Sequence, residues 1–273
     1  MCYKLIIYAI IVTKRKDLYM PFTFSHPAIV IPIKEKWKKY FSLTGLVLGS
    51  MSPDFEYFIR LAPIGKIGHT FKGFLYFNLP LCTVIAFLFH YIIKEQFILN
   101  SPQFISNRYR YLAVERWKMR SFKDLGIFIY SSLIGMMSHV LWDSFTHKTG
   151  TFVRMIPLLK KHICVLNFNL PLYKVLQHGS TLLGFIIIFV YLLSKRSFIK
   201  TNVSNYSVTK KIMYWLLIIL IGIITFLFRI SFTIGGFCIH NIGVYIVSII
   251  SGLFIGIILV SIVYKYIYEK ECQ

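Results

Sequence analysis

Residues 212–230 and 243–266 are two runs of around 20 almost uninterrupted apolar residues. A bilayer's hydrocarbon core is about 30 Å thick, and a helix of about that length crosses it with every backbone polar group paired internally. Residues 73–93, which include Pro80, and residues 125–145 are of the same kind. Residues 180–194 reach span length when extended back towards Leu176. Residues 41–61 are apolar but broken near the middle by Ser52-Pro53-Asp54. Such a chain is restricted to an all-α fold, a polytopic membrane helical bundle of about five to six spans. The 15% of charged residues, against about 25% in soluble domains, agrees with this.

No internal repeat or linker divides the chain, so residues 20–273 read as a single integral membrane domain. Residues 5–12 are too short to span, and the basic group Lys14-Arg15-Lys16 follows them, whereas a signal peptide has its charges first. Met20 is a second candidate start, which makes residues 1–19 a possible upstream extension. The five cysteines are scattered, odd in number and without a CxxC, so neither a disulfide framework nor a thiolate metal site is expected.

The net charge of +21 is spread in interrupted clusters between the apolar runs, and no nucleic-acid module is visible. Membrane lipids, with anionic headgroups, are the expected partners, and nucleic acid is not. Oligomeric state is not legible. Placing 34–39, 94–124, 195–211 and the C-terminus on one side gathers 18 Lys and Arg, against 9 on the other. The positive-inside rule puts the richer side in the cytoplasm, and the expected location is the inner (cytoplasmic) cell membrane.

Of ten acids, only Asp54, Glu56 and Asp143 stand in apolar surroundings. A carboxylate there needs a cation, a hydrogen-bond network or a metal. His139 and Asp143 are four apart and share one helix face. His147, two turns and about 12 Å beyond His139, drifts off that face unless the helix bends or ends near Ser144. Asp54 lies 15 residues after Lys39, about 22 Å if helical, and His69 just precedes a span. All these positions therefore fall towards the outer face. Imidazole with carboxylate suits zinc, manganese or iron. Ser52-Pro53-Asp54-Phe55-Glu56 also reads as a helix start, with Ser52 as N-cap, and Glu56 is placed to pair with Arg60. Pro27 biases His26 towards an extended backbone. His178 precedes the short span and, like His147, is a secondary candidate. No GxSxG, Walker A, GxGxxG or HExxH is present, so serine hydrolysis and nucleotide binding have no support.

Three segments carry a resemblance: Met20-Pro21-Phe22-Thr23-Phe24-Ser25-His26-Pro27, Gly49-Ser50-Met51-Ser52-Pro53-Asp54-Phe55-Glu56-Tyr57 and His139 through His147. Together they resemble an uncharacterised bacterial membrane family, the domain-of-unknown-function family numbered 4184, over roughly residues 20–230, and the first favours Met20 as the start. The order His, Pro-Asp, His, His-x3-Asp is also remotely similar to inner-membrane proteins named as metal-dependent hydrolases. That similarity implies His26, Asp54, His69, His139 and Asp143 as metal ligands; Asp54, as a ligand or the general base, and Asp143 are the expected catalytic carboxylates. The expected function is metal-dependent hydrolysis of a lipid-linked or envelope substrate at the outer face. The alternatives are a proton-coupled carrier or a structural membrane protein.

Overall fold

The computed structural model describes residues 23–117, 119–165, 168–195, 206–232 and 241–271. The possible extension 1–19 and the candidate start Met20 lie outside the described residues, as do Cys2, Cys238 and Cys272. Cys82 and Cys164 are free thiols.

Five helices are long and apolar enough to cross a membrane: Phe71–Asn100, the run beginning at Phe122, Leu172–Ser194, Val208–Ser231 and Ile242–Ile267. The protein is an all-α polytopic bundle with apolar residues turned outward, as a bilayer requires.

A 3-10 turn at Thr23–Ser25 leads into α1 (Pro27–Lys36), and the chain returns as α2 (Leu43–Met51). A second 3-10 turn, Ser52–Asp54, joins α2 to the short α3 (Phe55–Arg60). The apolar stretch 41–61 is thus two short helices meeting at Ser52-Pro53-Asp54, and it forms no span-length helix. Helix α3 ends at Leu61 in the left-handed conformation (φ 50°), which turns the chain back over the end of the bundle.

Helix α4 (Phe71–Asn100) starts with Thr70 as N-cap, its hydroxyl accepting from the Gly73 N–H at 3.0 Å. It widens into π turns at Phe74–Asn78 and Phe89–Ile93. Pro80 has no N–H to give to the ladder, and the first wide turn falls just ahead of it. That turn buries Asn78, whose Nδ2 donates to the Gly68 carbonyl at 2.7 Å.

Next come α5 (Gln103–Val114) and α6 (Phe122–Thr146), the latter opened by a Ser121/Asp124 capping box. Two short helices, α7 (Thr151–Met155) and α8 (Pro157–Lys160), and a hairpin of β1 (His162–Val165) and β2 (Phe168–Pro171) fill the link to α9 (Leu172–Ser194). The short apolar run 180–194 does extend back past Leu176. Helices α10 (Val208–Ser231) and α11 (Ile242–Glu271) pack along each other, and Tyr214 and Ser261 hydrogen-bond between them at 2.9 Å.

Helix α2 lies along α6 at unusually close range. A Cβ on Gly49 would sit 2.1 Å from the Ser132 carbonyl oxygen, and one on Gly135 would sit 2.5 Å from that of Leu46. Small residues permit this backbone approach, the usual device where lipid supplies no hydrophobic drive between helices. The approach brings the end of α2 against the last two turns of α6.

Candidate metal centre

His139 is the hub. It is fully buried on α6, and its Nδ1 lies 2.7 Å from the Ser50 carbonyl oxygen at the end of α2. A carbonyl only accepts, so Nδ1 carries the proton and Nε2 faces inward. That Nε2 is 3.2 Å from Asp143 Oδ2, one turn along α6, and 3.6 Å from Asp54 Oδ1. His69 approaches from the loop before α4, with Nε2 3.4 Å from Asp54 Oδ1 and 3.8 Å from Asp143 Oδ2. His26 stacks on the His139 ring at 3.9 Å between centroids, with its Nε2 3.6 Å from Asp143 Oδ1.

All five residues expected from the sequence therefore come together. Two overlapping triplets, His26/Asp54/His139 and His69/His139/Asp143, each have donor atoms within 4.8 Å of one another. Most of these separations are long for direct hydrogen bonds, which run about 2.7–3.2 Å. They suit neighbouring ligands on one ion: donors about 2.0–2.2 Å from a shared metal stand roughly 3.0–3.6 Å apart. Asp54 Oδ1, His139 Nε2 and Asp143 Oδ1 are buried without a hydrogen-bond partner. Buried polar atoms are seldom left so, because an unmet one costs on the order of 1–3 kcal/mol. The donor set fits a divalent transition ion.

A surrounding layer aims these groups. Thr23 donates to Asp54 Oδ2 at 2.7 Å, leaving Oδ1 for the centre. The loop carrying His69 is tied to Glu56, whose Oε2 accepts from the N–H groups of Lys66, Ile67 and Gly68 at 2.9, 2.8 and 3.0 Å. Its Oε1 pairs with Arg60 at 2.7 Å, the i, i+4 partner expected from the sequence. Burial pushes the Glu56 carboxyl up, but the three N–H groups and Arg60 outweigh it and bring the pKa to about 2. Tyr57 stacks on His69 at 6.1 Å; burial and then the Asp54 charge push its phenol pKa well up. For His69 itself, burial lowers the pKa but Asp143 and Asp54 raise it further, to about 9.

Some local expectations are corrected. Ser52 does not N-cap α3: it sits in right-handed backbone and its hydroxyl donates back to the Gly49 carbonyl at 3.1 Å. Asp54 makes no capping bond, so its carboxylate is committed to the histidines. His26 is not extended but right-handed (φ −58°, ψ −33°), because the Thr23–Ser25 turn runs straight into α1 and its ring is stacked on His139. Helix α6 ends at Thr146, so His147 turns inward, with Nδ1 3.3 Å from Asp143 Oδ1 and Nε2 3.2 Å from Gln177 Nε2. His178 lies within α9 and, among the described residues, forms no ion pair with either carboxylate. Thr23, Ser50 and Gln177 were not singled out from the sequence. Thr23 lies in the first recognised segment, while the Ser50 contribution is a backbone carbonyl and has no side-chain signature.

A family model described as a domain of unknown function, DUF4184, matches residues 20–262, beyond the roughly 20–230 that the motifs cover and through most of α11. No curated protein and no solved structure matches the chain.

Proposed function

The chain therefore belongs to the DUF4184 family, which carries no assigned activity, and from the site itself we propose a metal-dependent hydrolase of the inner cell membrane, acting at the outer face on a lipid-linked or envelope phosphoester. The observation that carries this reading is the spacing of the buried donors: His139 Nε2 lies between Asp143 and Asp54 at 3.2 and 3.6 Å, pinned from behind by the Ser50 carbonyl. A histidine held by its far nitrogen is the usual arrangement of a metal ligand.

His26, His69, His139 and Asp143 hold the ion. A divalent ion held there supplies Lewis-acid polarisation and acidifies a bound water. Asp54, oriented by Thr23, is a ligand or the general base that takes the proton of the attacking water. Asp143, His147 and His69 are the partly exposed members, so substrate approaches from the end of the bundle past these three. A site at the end of membrane helices favours an amphiphilic substrate. The same placement argues against a proton-coupled carrier, whose titrating groups would stand near the midplane.

Metal content of the detergent-purified protein, prepared without chelators, tests the reading. Wild type is expected to hold a stoichiometric transition metal that His139→Ala and Asp143→Asn both lose. A well-folded wild type free of metal would overturn it and leave the cluster as a lock between helices.

A further inference from the structure

The opposite end of the bundle holds a second concave feature, independent of the metal centre. A cavity of about 1160 Å³ opens between the α1–α2 turn, the second half of α4, α5, the start of α6 and the end of α9. Its walls are aromatic and aliphatic, with Phe89, Phe104, Phe128 and Phe189 among them. It is larger than the roughly 300–1,000 Å³ usual for small-molecule sites, and is of a size for a lipid chain.

Charge marks the same cavity. Lys34, Lys39, Lys94, Arg108 and Arg116 line it, against Glu115 and Asp124. Asp124 is engaged by the α6 capping box, accepting from the Ser121 hydroxyl at 2.8 Å and the Arg120 N–H at 3.1 Å. Lys94 is buried, and its ammonium donates to the Glu115 main-chain carbonyl. Lys34 donates to the carbonyls of Lys38 and Phe41, each at 2.6 Å, and Arg108 to that of Leu193. Among the described residues none of these three forms an ion pair with a carboxylate. Carbonyl dipoles only partly offset the cost of withdrawing a cation from water, and the two acids leave the cavity with three positive charges in excess. All five cations come from 34–39 and 94–124, the segments whose charge assigns them to the cytoplasmic side, where anionic lipids concentrate.

We propose that this cavity is a binding site for an anionic glycerophospholipid of the cytoplasmic leaflet, with the phosphate at the Lys/Arg rim and an acyl chain against the phenylalanine wall. The site does not depend on the metal reading. Native mass spectrometry of the full chain in neutral detergent, titrated with phosphatidylglycerol or with phosphatidylcholine of the same chains, tests it. Wild type is expected to retain phosphatidylglycerol in preference by on the order of a hundredfold at low salt, since each of the three positive charges in excess contributes about fivefold. Lys39 and Arg116 are exposed, so Lys39→Gln with Arg116→Gln should leave the fold intact and cut the preference about thirtyfold. Leu112→Trp, which fills the cavity, should reduce retention of both lipids. Equal retention of the two lipids by wild type, or an unchanged preference in the double variant, would overturn the proposal. Competition by glycerol 3-phosphate as effective as that by phosphatidylglycerol would also overturn it, revealing a site for a free phosphate ester.

Discussion

Glu56 touches none of the inward-facing donor atoms, yet it decides where one of them stands. Its carboxylate gathers three successive N–H groups from a loop ten to twelve residues away, and the next residue of that loop is His69. Charge-assisted bonds of this kind contribute more than the partly exposed Arg60 pair. Glu56→Gln should cost about 2 kcal/mol of loop docking, read as hydrogen exchange of the Lys66, Ile67 and Gly68 amides about thirtyfold faster. Metal affinity should fall about 10- to 100-fold, as when other outer-shell partners are lost; unchanged affinity with a loosened loop would separate the loop from the ion. The pH dependence has a definite sign. Glu56 is held at about 2, below its ordinary 4.5, so its contribution is complete above that ordinary value and is lost as pH falls through about 2. The amides should therefore stay protected through mild acid and loosen only below pH 4.5. At this scale the sequence displays fixed spacings well. His139 with Asp143 and Glu56 with Arg60 follow from a four-residue step. The Lys66–Gly68 nest and the Ser50 carbonyl depend on how the chain turns back, so no spacing announces them.

At the scale of elements, the contact between α2 and α6 fixes the site more than either helix does alone. Gly49 meets the Ser132 carbonyl and Gly135 meets that of Leu46 and the Ser50 N–H, so the residue after Gly49 is delivered to His139. Gly49→Leu should push the helices apart and cost about 1–3 kcal/mol, with Gly135→Val similar. Gly126 on the same helix would meet nothing within 4 Å, so Gly126→Ala should be neutral or slightly stabilising. Thermal unfolding in detergent distinguishes the two classes; equal midpoints for Gly49→Leu and Gly126→Ala would show that the close approach does not matter. The spans were legible because unbroken apolar length is unambiguous. The stretch 41–61 was not, since an apolar helix of nine residues followed by a Pro turn has the composition of a span and half its reach.

On the scale of the whole molecule, α6 connects two chemically opposite ends. Phe128, near its start, lines the basic cavity, and His139, three turns on, anchors the acid-histidine cluster. Polar groups thus sit at the ends of the bundle and lipid-facing residues between them, as a bilayer demands of each. Which end faces the cytoplasm follows from the Lys and Arg count of the sequence, 18 in the segments 34–39, 94–124, 195–211 and the C-terminus against 9 in the opposite segments. A reporter fused after Lys148, just past the cluster, should read as external, and one fused after Lys195, at the cavity end of α9, as cytoplasmic. The two must disagree, because a single span-length helix, α9, separates them. Both reading opposite to expectation would invert the molecule: the cavity would then face the outer leaflet and the cluster the cytoplasm, moving any hydrolysis to substrates inside the cell. The geometry of the donor atoms would survive that inversion unchanged, because proximity within the bundle does not depend on which way it is inserted.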